Sequence, residues 1–84
     1  MDDEYQKILA VKKAKESELL KKAYVVGVGI GFRKQGGVKT GEMALVVMVR
    51  KKMPMQQLSA KDRVPATLDG VPVDVQEVGE LKAQ

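Results

Sequence analysis

The 84-residue sequence has no cysteine and no histidine. The first absence removes disulfides, thiolate metal sites and cysteine nucleophiles together. The second removes the commonest metal ligand and the commonest general base near neutral pH. Ser17, Thr40, Ser59 and Thr67 therefore have no imidazole to activate them, and a Ser-His-Asp arrangement cannot be built. Asp62, Asp69 and Asp74 match no calcium-loop spacing. Aromatic side chains are limited to Tyr5, Tyr24 and Phe32, too few for a base-stacking platform. No apolar run approaches the ~20 residues that span a bilayer. The opening Met-Asp-Asp-Glu lacks the basic start and apolar block of a signal peptide. These absences predict a soluble, cytoplasmic domain with no enzymatic activity, no cofactor, no metal and no membrane partner.

What is present is ordinary for a small globular chain: 44% hydrophobic and 31% charged residues, with a net charge of +4. So short a chain predicts a single domain, 1–84, with a small core that benefits from a partner chain. Residues 2–23 contain no glycine or proline and predict a long helix. Asp2, Asp3 and Glu4 sit at its positive end, and Lys21 and Lys22 at its negative end. Glu18 and Lys22 have the spacing of a stabilising ion pair. Tyr5, Ile8, Leu9, Leu19, Leu20 and Ala23 form its apolar stripe. Lys12, Lys15 and Glu16 interrupt that stripe, so the middle is expected to pack poorly. Tyr5, Ile8 and Leu9 then become candidates for packing or assembly.

From residue 24 the period changes to two. Val26, Val28, Ile30 and Phe32 alternate with Gly27, Gly29 and Gly31, which predicts a strand with one apolar and one bare face. Residues 34–41 are expected to loop. Residues 42–50 are apolar on both faces and predict a central strand completing an antiparallel hairpin. Pro54 ends it, 55–61 predict a short second helix with Leu58 inward, and Asp69-Gly70 is a turn dipeptide. Val71, Val73 and Val75 alternate with Pro72, Asp74 and Gln76 in a third strand, which Pro72 assigns to an edge or a strand start. Residues 80–84 read as a tail. The predicted fold is α+β: a small, mainly antiparallel three-stranded sheet, a long N-terminal helix and a short second helix.

Two features carry functional expectations. Gly27, Gly29 and Gly31 lack the spacing and the following helix of a phosphate loop. They are instead expected to receive a close-approaching backbone, either the N-terminal helix or a neighbouring subunit. The antiparallel hairpin brings Arg50, Lys51 and Lys52 beside Tyr24 and hence beside Lys21 and Lys22. Five cations at one end of the sheet are a candidate polyanion contact, although a solvated basic edge is the simpler reading.

The segments Val25-Val-Gly-Val-Gly-Ile-Gly-Phe32, Thr40-Gly-Glu-Met-Ala-Leu-Val-Val-Met-Val-Arg-Lys-Lys52, Asp62-Arg-Val-Pro65 and Leu68-Asp-Gly-Val-Pro-Val-Asp-Val75, in that order, resemble a known region. It precedes the catalytic domain in bacterial trypsin-like serine peptidases related to the narrow-leaf proteins of plants. The likeness covers residues 24–79. The family's catalytic histidine, aspartate and serine have no counterparts here, so the resemblance implies an accessory domain. Three functions are therefore expected in order: a self-associating interaction module forming a homo-oligomer, a small basic nucleic-acid-binding protein, and an accessory domain to a separate trypsin-like peptidase.

Overall fold

The computed structural model describes residues 3–79. The predicted helix start at Asp2 and the predicted tail 80–84 lie outside them. One helix, α1 (Asp3–Leu20), packs on a single four-stranded sheet built from β1 (Val25–Gln35), β2 (Val38–Val49), β3 (Thr67–Leu68) and β4 (Val71–Glu77). The strand order is β1-β2-β4-β3.

The core forms where α1 meets β1, β2 and β4. Ile8, Val11 and Leu19 of the helix close over Val28, Leu45, Val47, Val49, Val71 and Val73. The helix is shorter than predicted: Leu20 is exposed and Ala23 lies beyond the helix end. Its middle packs better than expected, because Val11 is buried and Lys12, Lys15 and Glu16 are half-buried. Lys12 also pairs with Glu16 at 3.2 Å. The predicted Glu18–Lys22 pair is absent, and Lys22 Nζ donates instead to the Lys61 carbonyl at 2.7 Å.

β1 and β2 pair antiparallel, as the period predicts, but through a tighter connection than 34–41 suggested. Gln35 pairs with Val38, and Gly36 (φ 59) and Gly37 (φ 83) form the two-residue turn. Two successive positive φ values match the right-handed twist of the flanking strands, and glycine reaches them without steric cost. Two register shifts break the ladder, between Val25 and Gly27 and between Phe32 and Lys34. Alternation therefore fails at both ends. Val25 packs on the core, whereas Val26 and Phe32, both predicted inward, are each 47% exposed.

The largest departure from expectation is the pairing of β2 with β4, which is parallel, with Leu45 opposite Val73 and Val47 opposite Val75. β4 thus sits inside the sheet and not at its edge. On its other side β3, unforeseen because it is two residues long, pairs with it through the Asp69-Gly70 turn. Pro72 is the second residue of β4, opposite Thr67. The predicted short helix is two separate 3-10 turns, Met55–Gln57 and Ala60–Asp62. Leu58 between them is half-buried, while Met55 is 54% exposed.

The glycine face also differs from expectation. Gly27, Gly29 and Gly31 pair with Met48, Val46 and Ala44, on the side of the sheet away from α1. The helix does not lie on them. Their missing side chains are replaced by those of β2: Met48 Cε reaches 3.0 Å from where a Gly27 Cβ would sit and 3.7 Å from a Gly29 Cβ. The sheet coils strongly here. Lys34 N–H donates to Asp74 Oδ2 at 3.0 Å and Gln76 Nε2 to the Phe32 carbonyl at 3.4 Å, joining β1 to β4 across β2. Ala44 and Val46, which face this side, are buried although no helix lies over them.

A Gly29 Cβ would meet only ordinary contact at 3.7 Å. Gly29→Ala is expected to leave the melting temperature unchanged or to stabilise the chain by up to ~1 kcal/mol through reduced unfolded-state entropy. A loss of more than ~1 kcal/mol in urea titration would mean that this face is closed by something other than Met48.

Candidate functional site

Of the residues selected for packing or assembly, Ile8 is core, at 1% exposure, and is not available to a partner. Leu9 is half-buried and Tyr5 is 36% exposed. Gly29 and Gly31 line a groove of about 490 Å³ with Met48, Val46, Gln76 and Lys34. The remaining feature is one that sequence reasoning did not single out, the outer edge of β1. This strand is eleven residues long and ends the sheet. Among the described residues no strand pairs with its outer side, although near the hairpin tip the Phe32 carbonyl and the Lys34 N–H are bonded to the Gln76 and Asp74 side chains. Between the two register shifts the run Gly27–Phe32 carries no charge, and Val26 just before it and Phe32 at its end are half-exposed. Strand order located this edge, and strand order depended on the parallel pairing that periodicity does not encode.

The basic residues gather as the antiparallel register requires. Val25 faces Val49, so Arg50 follows Tyr24 across the ladder, its N–H donating to the Tyr24 carbonyl at 2.9 Å. The Arg50 guanidinium lies 5.2 Å from the Tyr24 ring centroid, within cation–π range. Lys21 and Lys22 precede Tyr24, while Lys51 and Lys52 follow Arg50, all outside the core. Acids interrupt the patch: Lys52 N–H donates to Glu77 Oε1 at 2.7 Å.

The junction from α1 to β1 is a compact turn. Val25 N–H donates to the Lys22 carbonyl at 3.3 Å, and Tyr24 takes φ 72, where glycine is usually preferred. Asp62 clamps this turn from the β2–β4 crossover. Its Oδ1 accepts the Ala23 N–H at 3.0 Å and its Oδ2 the Ser59 hydroxyl at 2.8 Å. The Ala23 N–H holds the Asp62 carboxyl below its ordinary range. The Ser59 hydroxyl, Lys61 and Lys22 act in the same direction, and partial desolvation opposes them. No group of three metal-binding side chains forms among the described residues. None of their helices is long and apolar enough to cross a membrane.

Residues 5–78 match the family described as the NARROW LEAF 1 N-terminal domain. No curated protein matches the chain. The match supports the N-terminal-domain part of the resemblance seen in the sequence.

The Asp62 clamp predicts a pH dependence. A carboxyl whose folded pKa is depressed stabilises the fold above its unfolded value, near 3.8, and loses that contribution as pH falls through the folded value. Asp62→Ala is therefore expected to melt below the wild type at pH 7, with the difference shrinking as pH drops below about 3.8. A difference in melting temperature that does not vary with pH would show that the carboxylate charge contributes nothing.

Proposed function

The chain belongs to the NARROW LEAF 1 N-terminal domain family, and from that premise we propose that it is a non-catalytic interaction module that associates with a second copy through the β1 edge. The observation that carries this reading is that no strand pairs with the outer side of β1, an eleven-residue strand at the end of the sheet. An open edge presents backbone N–H and C=O groups ready to pair with another chain. Lysines, prolines and bulges normally block such pairing. Here both bulges flank the segment and leave Gly27–Phe32 regular and free of charge.

Two β1 edges paired antiparallel about a twofold axis extend each sheet into the other, with both helices on one face. Val26 and Phe32 then lose solvent contact beside the new ladder, and burying such side chains contributes roughly 1.5–3 kcal/mol each when complete. The family description as an N-terminal domain, together with the sequence resemblance, supports a second reading: an accessory domain that positions or restrains a trypsin-like peptidase. Polyanion binding by the five basic residues is less well supported, because Glu77 and Asp62 sit among them.

Light scattering tests the first reading. The wild type is expected at twice the 9.2 kDa chain mass and the Val26→Lys/Phe32→Lys variant at the single-chain mass, with a helix signal unchanged by circular dichroism. A wild-type monomer at all accessible concentrations would eliminate self-association.

A further inference from the structure

A second surface is built for a different partner. Where the C-terminal end of α1 meets the β2–β4 crossover, a groove of about 330 Å³ opens. Lys15, Lys21 and Lys22 stand on the helix side and Lys61 on the crossover side, with Glu18 the acid in the lining. The apolar part of the lining comes from Leu19, Pro65 and Leu68. The two walls are tied together. Lys22 Nζ reaches the Lys61 carbonyl at 2.7 Å, and Asp62 Oδ1 holds the Ala23 N–H at 3.0 Å.

The cations of this groove outnumber the acids beside them. The ion pairs Lys12–Glu16 and Arg33–Glu42 involve no lysine of the groove. Asp62 attracts Lys61 and Lys22 from behind the groove while holding Ala23 and Ser59, so four lysines face two acids, Glu18 and Asp62. A concave apolar lining under a positive rim asks for a ligand with anionic groups around an apolar one.

The spacing narrows the class. Lys15 and Lys22 are seven residues apart on or just beyond the helix, roughly 10 Å at 1.5 Å per residue. An extended peptide covers that distance in about three residues. Carboxylates about three apart with an apolar side chain between them fit both the rim and the lining. Nucleic acid fits less well, since neither Tyr5, Tyr24 nor Phe32 lines the groove to stack a base, and the recess holds one or two side chains. We infer that this groove is a docking site for an acidic, apolar-anchored peptide segment of a partner protein. The site is separate from the β1 edge and does not depend on self-association.

The test is fluorescence anisotropy of a fluorescein-labelled peptide repeating Glu-Leu-Gly-Glu, titrated with the full chain at low salt. Saturable binding is expected, weakening as salt screens the rim. Lys21→Glu/Lys61→Glu is expected to lower affinity at least about tenfold, because it removes attraction and adds repulsion at the contact. Lys34→Glu/Lys39→Glu at the hairpin tip makes the same change in net charge and is expected to stay within about twofold. Circular dichroism checks folding, and Lys15→Glu substitutes if the double variant unfolds. The inference is overturned by any of four results: no binding, equal losses from the two charge reversals, no loss when serine replaces leucine in the peptide, or tighter binding of a single-stranded oligonucleotide of equal charge.

Discussion

Parallel strands cannot be joined by a tight turn, and the parallel pairing of β2 with β4 imposes most of the remaining architecture. The chain must leave the end of β2, travel the length of the sheet and re-enter alongside. It does so over residues 50–66 through two 3-10 turns, without the helix that commonly makes such a crossover. The returning segment is held by polar contacts. Arg63 Nε donates to the Met55 and Leu58 carbonyls at 3.0 and 3.1 Å, and Asp62 fastens the segment to the helix–strand junction. One topological requirement thus produces the basic groove, puts β4 inside the sheet and leaves β1 at the outside.

The two faces of β2 are closed by different means. On one, Leu45, Val47 and Val49 are covered by the helix. On the other, Ala44 and Val46 are buried without the helix, where Asp74 and Gln76 tie β1 to β4 across β2. The helix is consequently an integral part of the core and not an appended arm, since Ile8, Val11 and Leu19 are all buried. Glycines on β1 are what allow the second closure to be so close, because Met48 occupies the space their side chains would need.

The elements legible in the sequence were those governed by local period or local turn chemistry. The strand period over Val28–Ile30, the two-sided apolar character of β2, the Asp69-Gly70 turn and the meeting of Arg50 with Tyr24 all follow from nearest-neighbour rules. The elements that escaped depend on contacts distant in sequence. Nothing in Val71–Val75 says whether its neighbour runs parallel or antiparallel. Thr67–Leu68 is too short to show a period. The shift after Val25 moves one valine inward and the next outward without any compositional mark. The basic patch was visible as residue types, whereas the groove beneath Lys21 and Lys22 required the crossover to supply Lys61 and Pro65.

Tyr24 shows what such a short chain accepts in order to stay closed. Its φ of 72 is a left-handed conformation, which an L-residue with a side chain adopts at a cost of roughly 1–2 kcal/mol. A glycine would relax the backbone there. The tyrosine contributes what glycine cannot: a ring that packs against the open end of the core on one side and offers a seat to Arg50 on the other. In a domain with so few large side chains, a strained hinge that doubles as a plug does two tasks with one residue, and the local conformational preference yields to the need for bulk.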